Sequence, residues 1–300
     1  MSDDAAVYAV APDVAVVQSV DFFPPIVDDA YASGQVGAAN AMSDVFAMGG
    51  EVLFALNVAA WPEDVPTEIL ERLFAGAVDK VHEAGAVVAG GHTIIDREPK
   101  FGQCVTGRVD PARMLLKQSL RVGDELWLTK QIGTGILATA HKKGVLEPED
   151  LASLIASMVE LNRQAARAAV EAGHHADTDV SGFELVGHAH EMAERSAVGV
   201  RIRAGAVPLL PAARAHAEAG IDFGGMQRNR EHFLDKGLVR LEGLDEATTL
   251  LMIDPQTSGG LLLGVPSAHR EAWDRARSSH GVRAWLIGEA VEGEGVIVTA

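Results

Sequence analysis

Residues 34–50 read GQVGAANAMSDVFAMGG, and this stretch decides how the first third of the chain folds. Its small and apolar residues predict a helix over 33–48, and the Gly49-Gly50 pair stops it. On either side stand DVAVVQSV (13–20) and FALNVAA (54–60), runs of Val, Ala and Leu that read as strands. Strand, helix and strand in alternation predict a mixed α and β domain. Asn40 and Asp44 lie one turn apart on this helix and therefore share a face.

The same reading extends outward. Leu70, Leu73, Phe74, Ala77 and Val81 follow helical spacing, so 67–84 is a helix that starts at Pro66-Thr67 and ends at Gly85. AVVAGGH (86–92) reads as a buried strand running into a glycine-rich turn, and FGQCVTGRV (101–109) as a further strand. A boundary falls near 110–123, separating a domain at 1–112 from one at 118–300. The second part restarts with strand ELWLT (125–129) and a long helix at 148–172. Helices follow at 183–195, 208–219, 245–251 and 267–279, and strands at 198–203, 236–241, 259–265 and 282–288. Both halves are mixed α and β.

Composition bounds the function. Against 25 basic residues stand 42 acidic ones, a net charge of −17, which argues against a surface that grips nucleic acid or anionic lipid. Hydrophobic residues make up 48% of the chain, enough for sizeable cores. One cysteine excludes an internal disulfide or a CxxC site and agrees with a reducing, cytoplasmic setting. The start MSDDAAVY is acidic where a signal peptide is basic and then apolar. No apolar run reaches the roughly 18 residues that span a bilayer.

The chemistry-bearing residues are carboxylates and glycines at element ends. Asp3-Asp4 precedes AAVY, Asp21 follows the 13–20 strand, Asp44 shares a helix face with Asn40, and Asp179 sits in TDVSGFE (178–184). Each alone reads as a cap or turn residue. Spread over several segments, such oxygen donors suit Mg²⁺ carried with phosphate. Gly49-Gly50, Gly90-Gly91, Gly224-Gly225 and Gly259-Gly260 sit at element ends, where glycine lets backbone N–H groups approach phosphate. None belongs to a GxxxxGK[ST] or GxGxxG motif. DPQTSGG (254–260) adds a hydroxyl pair and Gly-Gly before the apolar LLLGV.

Taken in order, DDAAVY (3–8), DFFPPIVDD (21–29), GQVGAANAMSDVFAMGG (34–50), AGGHTI (89–94), FGQCVTGRV (101–109), LTKQIGTGIL (128–137), TDVSGFELVGHAHEM (178–192), GGMQRN (224–229) and DPQTSGGLLLG (254–264) resemble selenophosphate synthetase (selenide, water dikinase), of the aminoimidazole-ribonucleotide-synthetase-like superfamily. The resemblance runs from residue 3 to about 288. It implies an α/β (α+β) fold of two mixed domains, with the N-terminal sheet forming a homodimer interface. It implies ATP-dependent conversion of selenide and water to selenophosphate, AMP and phosphate, with Mg²⁺ and usually K⁺. By motif, Asp4, Asp44 and Asp179 would hold Mg²⁺. Ser2, Asp3, Asp21 and Asp44 would reach the nucleotide, with a further metal as the other role for Asp21, and Gly90, Gly91, His92 and Thr93 would reach ATP from the partner subunit.

The family's N-terminal segment, with its Cys or selenocysteine and a Lys, lies upstream of Met1. Residues 1–300 are therefore expected to bind Mg²⁺-ATP with little selenophosphate synthesis. Two other readings are a non-catalytic ATP-binding relative and a superfamily kinase such as thiamine-monophosphate kinase. Cys104 reads as a core residue. Glu184 stands where the family has Gly; near Asp179 it would alter metal occupancy or point to solvent. His188 and His190, two apart on a helix, face different ways and make poor joint zinc ligands. His174-His175 reads as a solvated helix end, and Glu289–Glu294 as a surface tail.

Overall fold

The computed structural model describes residues 3–300, and they form two compact units. The first comprises the chain up to Met114 together with Met158–Arg163. Its elements are β1 (Ala6–Ala11), β2 (Val14–Phe23), α1 (Ala30–Ala47), β3 (Glu51–Trp61), α2 (Thr67–Glu83), β4 (Val87–Ile95) and β5 (Lys100–Val109). The sheet runs β1-β2-β5-β3-β4, with only the β3–β4 pair parallel. One sheet face packs on α1: Ala15, Val17, Ala55, Ala59, Phe101 and Val105 are buried there at the period of two that a pleated strand imposes.

Asp29 caps α1 by accepting from the Ala32 N–H at 2.8 Å. The two helices touch backbone to backbone. A Cβ on Gly34 would lie 1.8 Å from the Leu73 carbonyl oxygen, and one on Gly76 would lie 2.0 Å from that of Tyr31, so both positions need glycine to let the helices meet.

The opposite face of this sheet is open. Val20, Phe22, Leu53 and Leu56 are exposed on it or at its margin, and edge strand β4 exposes Val87, Ile94 and Ile95. Two expectations change here. β4 is exposed along nearly its whole length and runs through Gly90-Gly91 as strand, without a turn. Its apolar residues have one strand beside them instead of two. Cys104 is half-buried, not core: it lies opposite Val20 and Leu56 on the open face.

The second unit comprises Leu115–Ser157 and Gln164–Ala300. Its elements are β6 (Asp124–Leu128), α3 (Thr134–Lys142), α4 (Pro148–Val159, which crosses the division), α5 (Arg163–Glu171), β7 (Ala176–Asp179), α6 (Glu184–Ser196), β8 (Gly199–Arg203), α7 (Ala213–Glu218), α8 (Gly224–Asn229), β9 (Val239–Glu242), α9 (Glu246–Met252), β10 (Leu261–Pro266), α10 (Arg270–Ser279), β11 (Trp285–Val291) and β12 (Gly295–Thr299). Seven strands form one sheet in the order β7-β10-β6-β11-β8-β12-β9. No helix among the described residues is long and apolar enough to cross a membrane.

Several sequence expectations are corrected. The 148–172 helix is two helices, broken at 160–162, where the Asn162 side chain donates to Ser43 Oγ at 2.9 Å. The 208–219 helix shrinks to Ala213–Glu218, because Pro208 and Pro211 cannot continue a helix interior. Glu289–Glu294 is the end of β11 and the turn that leads into β12 on the far side of β8, with Glu289 opposite Arg201 and 3.5 Å from its guanidinium. His174 is buried with its ring 4.9 Å from that of Trp273, and burial pushes its pKa down to about 4. His175 stands 3.3 Å from Asp124.

Candidate active site

In the first unit, strand register places a row of polar groups beneath α1. Asp21 pairs with Gln103, Gln103 with Asn57, and Asn57 with Gly91, across four strands. Gln103 Nε2 donates to Asn57 Oδ1 at 2.9 Å, and the buried Gln103 Oε1 has no hydrogen-bond partner among the described residues. Gly91 completes the row because a Cβ there would sit 2.2 Å from the Asn57 carbonyl oxygen.

From α1, Asn40 Nδ2 donates to Asp21 Oδ2 at 2.6 Å, and Ser19 Oγ donates to Asp44 Oδ2. Two carboxylates are thus each fixed through one oxygen by a neighbour. Burial raises the Asp21 pKa, and the Asn40 bond pulls it back. Asp3 and Asp4 precede β1, whose Ala6 lies opposite Gln18. Because the strands are antiparallel, these aspartates leave β1 toward the Asp21 end of β2. His92 and Thr93 are exposed on β4, with His92 opposite Val58. Ser2 lies outside the described residues.

Gln103, Asn57 and Ser19 were not singled out from the sequence. A signal exists for each. Gln103 shares strand parity with Phe101 and Val105, Asn57 with Ala55 and Ala59, and Ser19 with Ala15 and Val17. A polar residue at core parity is a buried polar group that needs a reason.

Asp179 lies in the second unit, buried at the end of β7 and opposite Leu261. Around it the 254–260 loop is tied inward. Gln256 Oε1 accepts from the Gly133 and Thr134 N–H groups at 3.0 and 3.1 Å and from Thr134 Oγ1 at 3.1 Å. Asp254 Oδ2 accepts from the Gly135 N–H at 3.2 Å. These bonds close the N-terminus of α3 with side chains. Gln256 N–H donates to the Ser181 carbonyl at 3.0 Å, and Lys130 Nζ donates to the Ser258 carbonyl at 2.8 Å. A Cβ on Gly259 would lie 2.1 Å from the Val180 carbonyl oxygen. Gly-Gly here permits close packing of the loop on the segment after Asp179.

Glu184 does not point to solvent. It is fully buried, has φ +53°, and neither carboxyl oxygen has a hydrogen-bond partner among the described residues. Burial first, and the nearby Asp254 charge second, push its pKa up to about 10. Burial raises Asp254 itself to about 7, with hydrogen bonds from Gln256, Gly135 and Ile136 opposing. His188 Nε2 accepts from the Ser181 N–H at 3.1 Å, and burial followed by the Lys117 charge lowers its pKa to about 3. It is a neutral structural acceptor, apart from the half-buried His190.

Among the described residues no three His, Cys, Asp or Glu side chains stand close enough together to hold a metal on their own. That agrees with the donor chemistry. Mg²⁺ seldom occupies an all-protein cage; one or two carboxylates, phosphate oxygens and water hold it. Asp44 and Asp21, each fixed through one oxygen, fit such a shared site.

The family model for the AIR synthase related protein N-terminal domain matches residues 2–109, and that for the C-terminal domain matches 121–300. The chain is 42% identical to the selenide, water dikinase of Caldanaerobacter subterraneus subsp. tengcongensis, over 97% of this chain and 84% of the relative. It is 43% identical to that of Pelobacter propionicus, with the same coverage. A crystal structure of the hydrogenase maturation protein HypE in complex with ATP superposes with a TM-score of 0.73 at 19% identity, covering 95% of this chain and 82% of that one. The two mixed α and β units therefore have the AIR synthase-like fold, and the chain belongs to the selenide, water dikinase family of kinase-type enzymes.

Proposed function

We propose that the protein makes selenophosphate from selenide, converting ATP and water to AMP and phosphate. The identity of 40–43% to enzymes named selenide, water dikinase, over nearly the whole chain, carries this reading. ATP as substrate is supported by the ATP-bound relative of the same fold.

Asp4, Asp44 and Asp179 would hold Mg²⁺, which when bound neutralises the polyphosphate charge. Without that compensation the carboxylates would repel the nucleotide. Ser19 holds one Asp44 oxygen, so the carboxylate meets the cation in a set orientation. Asn40 does the same for Asp21; by motif, Asp3 and Ser2 would approach the nucleotide. Selenide is already a strong nucleophile, so the chain's own work is to position the reactants and exclude water. K⁺ is the further cation that the family reading supplies.

We assign residues 1–112 to nucleotide binding and dimerisation, and 118–300 to the second domain. The homodimer reading rests on the open sheet face and on the apolar edge of β4. An unpaired apolar edge strand is an unstable surface in a lone subunit, and a second copy would cover it. Gly90, Gly91, His92 and Thr93 on that edge would then reach the partner's ATP. A reduced substrate and a single cysteine suit a cytoplasmic setting.

The experiment is anaerobic incubation with ATP, Mg²⁺ and selenide, following AMP and the phosphorus–selenium product by ³¹P NMR. It uses residues 1–300 alone and preceded by the family's Cys- and Lys-bearing segment. Selenide-dependent AMP together with the phosphorus–selenium product is the expected result. ATP binding with no AMP in either form would favour a non-catalytic relative. ADP formed from thiamine monophosphate would favour the superfamily kinase.

A further inference from the structure

A cleft lies in the C-terminal unit, among the last turns of α6, the start of β9 and the turn into β12. Its volume is about 530 Å³, within the range of about 300–1,000 Å³ typical of small-molecule sites. Leu238 and Val296 give its lining apolar surface, and His190, Glu194, Arg240 and Glu294 line it as well. The last three form no ion pair with one another or with any other described residue. A guanidinium and two carboxylates thus line one cleft without neutralising each other.

The charges select the occupant. Two carboxylates against one guanidinium disfavour a phosphate-rich anion. A metal held by side chains alone is disfavoured, since no group of three potential ligands among the described residues is close enough. A purely apolar ligand would use Leu238 and Val296 alone and none of the three exposed charges. A molecule with both an ammonium and a carboxylate satisfies them. Its ammonium would face Glu194 and Glu294, and its carboxylate would face Arg240, where the planar fork suits bidentate pairing. The apolar surface takes a short side chain.

We propose that this cleft binds a small zwitterionic α-amino acid with a short, uncharged side chain. It is separate from the residues assigned above to ATP and Mg²⁺, so its failure would leave that reading standing.

The test is isothermal titration of the ATP-free protein with L-alanine and L-serine, using propionate and ethylamine as carboxylate-only and amine-only controls. Saturable binding of the amino acids is expected, with each single-charge control at least about tenfold weaker. R240Q should weaken binding about tenfold or more, and L238W should abolish it by filling the cleft, both with unchanged circular dichroism and unchanged ATP affinity. Leu238 is only half-buried and Arg240 is exposed, so the fold should tolerate both changes. Absence of binding, equal binding of propionate, or binding unchanged in both variants would overturn the proposal.

Discussion

Glu184 offers a perturbation whose size follows from its surroundings. The carboxyl is fully buried without a hydrogen-bond partner among the described residues, and its pKa moves from the ordinary 4.5 to about 10. In the folded protein it keeps its proton throughout the neutral range, whereas in the unfolded chain it loses it above about 4.5. The folded state therefore binds one more proton than the unfolded state between these two values. Stability linked to Glu184 is complete below pH 4.5 and falls by about 1.4 kcal/mol per pH unit as pH rises toward 10. From pH 5.5 to pH 8.5 that amounts to about 4 kcal/mol, as an upper bound.

Replacing Glu184 by Met keeps most of the volume, keeps the positive φ, and removes both the titration and the partnerless polar group. Below pH 5 the variant should be more stable by about 1–3 kcal/mol, the cost of a buried unsatisfied polar group. Its advantage should then widen with pH. Asp254, raised to about 7, titrates in both proteins with the same sign below that pH and largely cancels in the comparison. Urea unfolding followed by circular dichroism at pH 5.5, 7 and 8.5 measures the difference. Parallel pH curves for the two proteins, or a variant less stable at every pH, would show that Glu184 is not held as a protonated carboxyl in the folded protein.

Asp44→Asn should lower Mg²⁺-ATP affinity by at least about tenfold in a titration with and without Mg²⁺, while thermal stability changes little because Ser19 can still donate to the amide oxygen. Gln256→Ala removes an acceptor shared by three donors at the start of α3. It should cost about 2–4 kcal/mol in urea unfolding, since the freed donors are buried. Ile95→Asp on the β4 edge should shift sedimentation from dimer to monomer, and a purely monomeric starting protein would dispose of the homodimer proposal.

Much of the fold was legible because its periodicities are strong. The helix read from 34–50 and the 67–84 helix appear within a few residues of their observed ends. The failures share a cause, since burial depends on a neighbour distant in sequence. The β4 run is apolar yet exposed because no strand of the same chain lies outside it. His174 is polar yet buried because Trp273, about a hundred residues later, covers its ring. The aspartates of the candidate site could be read from motifs. The Asp21–Gln103–Asn57–Gly91 row needs the strand register, which no local pattern specifies. Glu184 could be recognised as a departure from the family pattern, but its inward direction depends on the backbone at φ +53°.

The central claim is that this chain carries the machinery that uses ATP to phosphorylate selenide. It is tested most directly by ³¹P NMR of an anaerobic reaction containing ATP, Mg²⁺, selenide and the protein preceded by the family's Cys- and Lys-bearing segment. A phosphorus–selenium product together with AMP and phosphate is expected, formed only when selenide is present and lost in Asp44→Asn. Turnover of ATP that ignores selenide, or no turnover by protein that binds Mg²⁺-ATP, would contradict it.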